Sequence, residues 1–361
     1  MTDKRVYNFA AGPSTLPVEV LKEAQKEMLN YKGSGMSVME MSHRSSAYAE
    51  IFDDTKATLK RVMNIPDNYD ILFLHGGATQ AFSAIALNLM QKGRADYVVT
   101  GNFANKAAKE AAKFGDVHIA YDGKDNNYTH IPTQDELDIR DDIDYVHICE
   151  NNTIFGTEWN YIPDTKGAPL VSDMSSDILS RPVDVSKYGV IYAGAQKNMG
   201  IAGLGVIIIR HDLVKPHKEN IPVLCEYDTM VKKDSMYNTP PTFAIYMLGL
   251  VCHWIEDNGG LEAMAKRNEK KAKLLQVYLD SSDFYNYPTE KGSRSNMNVS
   301  YTTPSKELDA KFVKESIEAG MTNLKGHRLV GGIRASIYNA MTYEGVEYLV
   351  NFMKKFEAEN K

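Results

Sequence analysis

The chain has 361 residues, of which 43% are hydrophobic and 24% are charged, and its formal net charge is −6. This composition is typical of a globular protein, and the length favours two domains. The negative balance excludes a basic field that could hold nucleic acid or an anionic membrane, so any anionic ligand must be bound by local features.

The N-terminal residues lack the apolar core of a signal peptide, and the longest uncharged apolar stretch, residues 243–254, is too short to span a bilayer. The chain has three cysteines, Cys149, Cys225 and Cys252, which form no CxxC pair and lie in apolar segments. Such cysteines are typical of reduced thiols. The histidines show no metal-ligand spacing. We therefore expect a cytoplasmic protein without a structural metal.

The first part of the chain predicts an irregular N-terminal arm, residues 1–15, and then a helix that begins near Pro17. A polar segment containing His43 and Arg44 precedes the next helix, so these side chains are expected in a loop or at a helix start. There they can reach outward to a ligand. A solvated basic pair is the alternative.

A glycine-rich turn joins an apolar strand at residues 71–74 to a helix at residues 81–90, through His75-Gly-Gly-Ala-Thr-Gln80. Such a junction leaves unpaired backbone N–H groups that converge on one point, and the helix dipole adds attraction for an anion. The sequence therefore predicts a phosphate-binding turn. It matches neither GxxxxGK[ST] nor GxGxxG, so a nucleotide fingerprint is absent.

Short apolar strands then alternate with helices, which predicts an α/β fold with a mostly parallel sheet covered on both faces. Ligands of such sheets lie at the carboxyl ends of the strands. Phe103 and Thr153 both follow predicted strands, so we expect them to face one cleft. A core aromatic residue and a simple loop hydroxyl are the alternatives.

Two ionisable residues interrupt apolar segments farther along the chain. Asp173 ends the apolar run that begins at Leu170, and Lys197 lies among small residues between two predicted strands. A desolvated lysine binds its proton less tightly, and its neutral amine can form a Schiff base, most often with pyridoxal 5′-phosphate. A buried acid beside the pyridine nitrogen would keep that ring cationic. A lysine on a surface turn and an aspartate that caps a helix are the alternatives.

The segment Asn258-Gly-Gly260 predicts a boundary between a large domain, residues 16–258, and a smaller α+β domain, residues 259–361. In the smaller domain, His327, Arg328 and Arg334 lie in or beside a predicted strand. An arginine fork binds carboxylate or phosphate through two hydrogen bonds. A structural arginine held in a salt bridge is the alternative.

Several segments, spread over nearly the whole chain, resemble the phosphoserine aminotransferase family, which belongs to the class V, fold-type-I aminotransferases. They are residues 9–13, 41–45, 75–77, 195–198, 237–241 and 326–339. The last of them, GHRLVGGIRASIYN, is very specific to that family. The resemblance implies a fold-type-I transferase that uses pyridoxal phosphate, with a large domain built on a mostly parallel sheet and a smaller α+β C-terminal domain.

The resemblance also implies a role for each site residue. Lys197 would form the Schiff base and carry the proton, and Asp173 would pair with the pyridine nitrogen. The remaining residues that would hold the cofactor are Gly77, Ala78, Thr79, Phe103, Thr153 and Gln196, with Asn238 and Thr239 supplied by the second subunit of a homodimer. Arg334 would bind the substrate α-carboxylate, and a distal anion would be bound by His43, Arg44, His327 and Arg328.

The chain departs from the family pattern at two positions, with Phe103 where the family usually has Trp and Ala11 where it often has Ser. The implied reaction is ping-pong transfer of the amino group from L-glutamate to 3-phosphohydroxypyruvate, for serine and possibly pyridoxine biosynthesis. Three alternatives stay open at this point. They are a lyase such as a cysteine desulfurase, a catalytically silent binder of phosphorylated ligands, and a Schiff-base aldolase, which would need neither the phosphate turn nor Asp173.

Overall fold

The computed structural model describes residues 5–216 and 221–361. The helices are α1 Val18–Glu27, α2 Ser46–Val62, α3 Gly77–Leu89, α4 Asn102–Ala111, α5 Tyr227–Lys232, α6 Thr242–Asp257, α7 Gly260–Ser281, α8 Lys306–Glu318 and α9 Tyr343–Asn360. The strands are β1 Tyr7–Asn8, β2 Tyr69–His75, β3 Arg94–Val99, β4 Asp116–Asp122, β5 Tyr145–Cys149, β6 Asn151–Asn152, β7 Thr157–Glu158, β8 Leu170–Asp173, β9 Val190–Gly194, β10 Leu204–Arg210, β11 Asn298–Tyr301, β12 Met321–Thr322 and β13 Ile333–Ser336.

A seven-stranded sheet in the order β2-β10-β9-β8-β5-β3-β4 forms the centre of the molecule. Strands β9, β8, β5, β3 and β4 run parallel, and β10 lies antiparallel to both of its neighbours. The inner strands are buried along their whole length, because helices cover both faces of the sheet. The expected α/β architecture with a mostly parallel sheet is confirmed.

Each face of this sheet carries its own apolar core. On one face α2 packs against α6, and Phe52 meets Phe73 of β2 edge to face, with ring centroids 5.4 Å apart. On the other face α3 and α4 pack together, and Phe82 meets Tyr192 of β9 in the same manner, at 6.2 Å. The carboxyl ends of the parallel strands stay open between these layers, where a ligand can bind.

The C-terminal part has a separate core around the two-stranded antiparallel sheet of β11 and β13, with Phe312 and Met353 fully buried in it. The N-terminal arm joins this part, because β1 pairs in parallel with β12 and Phe9 is buried in the same core. Near the start of α7, Leu261 packs in the large-domain core. The division at residue 258 stays a prediction.

None of the helices in the described ranges is long and apolar enough to cross a membrane.

Candidate active site

Lys197 lies on the turn between β9 and β10, at the open end of the sheet, and its amine is held by hydroxyl groups. Nζ donates to Thr153 Oγ1 at 2.7 Å and to Ser176 Oγ at 2.9 Å. These two hydroxyl oxygens are themselves 2.6 Å apart. The N-terminal arm covers the lysine, since Ser14 Oγ donates to its carbonyl and a Cβ on Gly12 would lie 3.2 Å from its Cγ. The amine is thereby fixed at one place in the cleft.

The glycine-rich turn has the geometry that an anion requires. Gly76 precedes α3 with φ of 90°, and a Cβ there would lie 2.7 Å from Gln80 Cβ, so only glycine fits without displacement. Helix α3 begins at the next residue, which directs its first unpaired N–H groups into the cleft. Beside them, Gln196 Oε1 is buried and has no hydrogen-bond partner within the described ranges. A buried amide in this state calls for a donor that a ligand or water can provide.

One cavity of about 410 Å³, a volume typical of small-molecule sites, contains most of the predicted residues. Those that line it are Gly77, Ala78, Thr79, Phe103, Thr153, Asp173, Gln196, Lys197, His327 and Arg334. The Phe103 ring centroid lies 5.5 Å from Lys197 Nζ, which leaves an aromatic face beside the amine. A flat, phosphorylated cofactor with an aldehyde finds there a nucleophile, a stacking surface and an anion-binding turn, so the cavity fits pyridoxal phosphate.

Asp173 ends β8 and is only 5% exposed. Its Oδ1 accepts hydrogen bonds from the backbone N–H and the hydroxyl of Ser175. Burial raises the pKa of Asp173 above its usual value, and the nearby Lys197 charge and the Ser175 hydrogen bonds offset only part of this rise. A carboxylate in these surroundings is stabilised further by any cationic ring nitrogen that enters the cavity.

The opposite wall of the cavity is cationic. Arg334 on β13 is half-buried, donates to the carbonyl of Thr153 at 3.3 Å, and has a pKa lowered by burial. Burial and the charges of Arg334, Arg328 and Lys106 lower the pKa of His327. Cations that repel one another in this way favour binding of an anion between them.

Two further residues at this site, Ser176 and Lys106, were not predicted from the sequence. Ser176 follows Asp173 by three residues and contacts the Lys197 amine. Lys106 lies one helical turn after Phe103 on α4, and its Nζ is 5.6 Å from that ring centroid. Lys106 could have been predicted, because a residue three places after Phe103 on a helix lies on the same face of that helix. Ser176 could not, since a serine after a strand has no distinguishing pattern.

The other predicted residues lie outside the cavity lining of this chain. His43 and Arg44 precede Ser45, the N-cap of α2, and Arg44 is exposed. Asn238 and Thr239 lie before α6, where the Thr239 carbonyl is 3.0 Å from His75 Nε2. The exposed Arg328 adjoins His327.

Comparison with known proteins identifies the family. The model of the family "Aminotransferase class-V" matches residues 6–349. A phosphoserine aminotransferase of Geobacillus kaustophilus is 52% identical over 355 residues, which cover 98% of each chain. One of Bacillus cereus is 50% identical over 359 residues, which cover 99% of this chain and all of its own.

Solved structures agree with these sequences. A phosphoserine aminotransferase from Bacillus circulans subsp. alkalophilus superposes with a TM-score of 0.97 at 46% identity, with 99% of each chain covered. A phosphoserine aminotransferase of Trichomonas vaginalis, described as bound to PLP, has a TM-score of 0.93 at 40% identity, covering 97% of this chain and all of the other. The expected fold-type-I transferase is confirmed. The chain belongs to the class-V aminotransferase family, and the four relatives described above are phosphoserine aminotransferases.

Proposed function

We propose that the protein is a phosphoserine aminotransferase that transfers the amino group of L-glutamate to 3-phosphohydroxypyruvate, by a ping-pong reaction that uses pyridoxal phosphate. The observation that carries the proposal is the meeting of Lys197, Asp173 and the Gly76 turn in one cavity. Relatives named for this activity share about half of the residues over the full chain length. The role would lie in serine biosynthesis, in the cytoplasm.

The cofactor supplies an aldehyde that condenses with amines and a ring that withdraws electrons from the substrate Cα. Ala78, Thr79 and Gln196 would hold its phosphate, and Phe103 would stack on its ring. Phe103 retains the aromatic face of the more usual Trp, with less area and no indole N–H. Asp173 would hold a proton on the ring nitrogen, because an anionic carboxylate stabilises the cationic ring.

Lys197 would move the proton at the substrate Cα. Its amine is kept in place by Thr153 Oγ1 and Ser176 Oγ, each within hydrogen-bond distance. Proton transfer by a positioned side chain contributes roughly 10²- to 10⁴-fold to a rate, provided that the group lies within reach of the reacting atom. The N-terminal arm above the lysine would exclude water from this step.

Both substrates carry two anionic ends, so two cationic anchors are required. Arg334 would bind the α-carboxylate, and His327 with Arg328 would bind the distal carboxylate or phosphate. His43 and Arg44 are proposed to complete the distal anchor. Each charge-assisted contact is worth about 1.5–3 kcal/mol, so loss of one anchor should weaken binding at least roughly tenfold.

The site is proposed to be completed in a homodimer. Asn238 and Thr239 do not line the cavity of their own chain. We propose that they reach the cofactor phosphate of the second subunit.

The cysteine desulfurase alternative requires a nucleophilic cysteine in the site. No cysteine is among the residues that line the cavity, in the ranges that the structure describes, and burial raises the pKa of both Cys149 and Cys252. The thiolate that such chemistry needs is therefore disfavoured.

An absorption spectrum recorded before and after addition of L-glutamate tests the proposal most directly. A yellow protein whose long-wavelength band disappears with glutamate and returns with 3-phosphohydroxypyruvate has the proposed activity. Protein that stays colourless with added pyridoxal phosphate would be a silent binder. A band that glutamate leaves unchanged would point to a different amino donor or reaction.

A further inference from the structure

A buried histidine lies two strands away from Lys197, in the layer of the sheet that carries Asp173. His147, at the centre of β5, is 1% exposed, and its ring stacks on Tyr97 with centroids 4.6 Å apart. Its Nε2 lies 2.8 Å from the hydroxyl of Tyr192, a residue of β9 that is itself fully buried. An imidazole in a core costs more than an aliphatic side chain unless it is hydrogen-bonded. The hydrogen bond to Tyr192 is therefore the contact through which this imidazole can act.

Strand pairing connects the same hydrogen bond to the candidate active site. Asp173 of β8 pairs in register with Tyr192 of β9, and Val171 of β8 pairs with His147 of β5. Residues two apart on a strand share a face, so the carboxylate, the phenol and the imidazole lie on one face of the sheet. Across this pair, the Tyr192 phenol acts on the Asp173 carboxylate as a donor that lowers the pKa of Asp173.

The direction of this chain of hydrogen bonds follows from the second ring nitrogen of His147. Nδ1 is buried and has no partner within the described ranges. Burial lowers the pKa of His147 to about 3, so the imidazole is neutral and carries a single proton. A buried N–H without an acceptor is rarer than a buried acceptor without a donor. The proton therefore belongs on Nε2, which donates to the Tyr192 oxygen and leaves the phenol proton for Asp173.

The other groups around Asp173 do not replace this support. Lys197 lowers the pKa of Asp173, but its amine is the group proposed to react, so this contribution changes during the reaction. Burial raises the pKa of Cys149, so its thiol stays neutral. Asp177 forms an ion pair with Arg181, at 3.4 Å, and is not a donor to Asp173. The Ser175 contacts hold Oδ1. The phenol of Tyr192 is the donor whose strength depends on a further group behind it, because hydrogen bonds in a chain polarise one another.

We propose that His147 and Tyr192 are positioning residues that keep Asp173 ionised and aimed at the cofactor ring nitrogen, through a chain of two hydrogen bonds into its carboxylate. This inference rests on the proposed function only for its pyridine cofactor, and the identity of the keto acid does not enter it. Without the chain the proton of the ring nitrogen would shift toward Asp173, and the ring would withdraw electrons less well.

The test compares Tyr192→Phe with Tyr97→Phe. Both substitutions remove one buried hydroxyl and keep the ring, but the Tyr97 hydroxyl bonds to Tyr145, at 2.7 Å, and lies outside the chain. The holoenzyme is reconstituted with cofactor isotope-labelled at the ring nitrogen and studied by NMR. In Tyr192→Phe we expect the nitrogen resonance to move toward that of neutral pyridine and cofactor release to rise about tenfold. The Tyr97→Phe protein should match the wild type in both measurements.

Steady-state kinetics give a second readout. For Tyr192→Phe we expect kcat to fall about tenfold while KM for glutamate is unchanged, since the substrate anchors are untouched. Two substitutions of His147 separate loss of the hydrogen bond from a general folding defect. His147→Gln can still donate an amide N–H to the phenol and should retain most of kcat, whereas His147→Leu cannot and should resemble Tyr192→Phe.

The proposal is overturned if Tyr192→Phe and Tyr97→Phe change the ring-nitrogen resonance equally, or if neither changes it. It is also overturned if His147→Gln and His147→Leu lose the same fraction of kcat at equal melting temperature. The NMR and release measurements involve no substrate. A protein that holds the cofactor but fails to use 3-phosphohydroxypyruvate would refute the proposed function and leave this test intact.

Discussion

At the residue scale, the proposed chemistry depends on one amine held by two hydroxyl groups. Lys197 Nζ donates hydrogen bonds to the hydroxyl oxygens of Thr153 and Ser176, and these two hydroxyls are also hydrogen-bonded to each other. The direct hydrogen-bond partners of the amine are therefore hydroxyl groups, which fix its position in the cleft.

Substitution Lys197→Ala should abolish turnover, by at least about 1,000-fold, because both the nucleophile and the proton carrier are removed. The fold should persist, since the side chain contributes little to the core. Turnover is measured with glutamate and 3-phosphohydroxypyruvate, and folding by circular dichroism. The matched control is Lys187→Ala, an exposed lysine ten residues earlier, which should behave as wild type. A Lys197→Ala protein that transaminates at the normal rate would refute the assignment.

The charge of His327 should make glutamate binding depend on pH. Its pKa is lowered by burial and by neighbouring cations, so the free protein holds it neutral at pH 7.5. Protonation occurs as the pH falls and adds a positive charge beside the distal carboxylate, which does not itself titrate in this range. We expect the affinity for glutamate to rise about threefold between pH 7.5 and pH 6.

Titration of glutamate into the holoenzyme, followed by absorbance, measures this effect. The His327→Gln protein is the control, because its amide cannot gain the proton. An identical pH dependence in both proteins would assign the effect to another group.

At the scale of elements, periodicity and turn chemistry predicted most helices and strands. The glycine turn before α3 was readable because a single local rule governs it. The helix expected to begin near Pro17, α1, already ends at Glu27, and Leu29 is 84% exposed. Instead, Tyr31 is buried and meets Tyr246 edge to face, at 5.9 Å between centroids. A contact more than 200 residues away along the chain leaves no local signal.

The candidate site was predictable where its residues follow strands, as Asp173 and Lys197 do. Ser176 and the pair of Tyr192 and His147 were not, because a buried tyrosine or histidine in an apolar strand looks like ordinary core. Only the register of β5, β8 and β9 reveals that His147 and Tyr192 lie on the same face of the sheet as Asp173.

Helix α7 contains a buried lysine that is hydrogen-bonded to the segment after β13. Lys271 is 2% exposed, and its Nζ donates to three carbonyls, those of Ile337, Tyr338 and Met341, at 2.8–3.1 Å. Burial lowers the pKa of Lys271 to about 7. Three acceptors match the three N–H bonds of an ammonium and support the charged form.

Substitution Lys271→Met should lower the free energy of unfolding by about 2–3 kcal/mol, because three buried carbonyls lose their donor. Urea denaturation followed by circular dichroism measures the loss. Lys273→Met, an exposed lysine on the same helix, should change stability by less than about 0.5 kcal/mol. Equal stability of the two variants would mean that water replaces the ammonium.

At the scale of the whole molecule, the proposed homodimer makes a quantitative prediction. If Asn238 and Thr239 serve the second subunit's site, a homodimer of Lys197→Ala subunits is inactive. A homodimer of subunits with both Asn238→Ala and Thr239→Ala is inactive as well. Their hybrid contains one intact site, because Lys197 of one chain meets Asn238 and Thr239 of the other.

Random exchange of the two inactive proteins should therefore restore about a quarter of the wild-type activity, since half of the dimers are hybrids with one working site of two. Activity is measured after mild dissociation and reassociation, with each variant treated alone as the control. A mixture that stays inactive while hybrids are detected by mass spectrometry would place both functions in a single subunit.

The N-terminal arm contacts both the C-terminal part of the molecule and Lys197, the proposed catalytic lysine. Its β1 strand pairs with β12 of the C-terminal part, Tyr338 donates to the carbonyl of Ala11, and Gly12 lies over Lys197. Any rotation of the C-terminal part would therefore move the N-terminal arm that covers the cleft. Release of product and exposure of the Lys197 amine would then occur in one motion, and the seven-stranded sheet could stay in place.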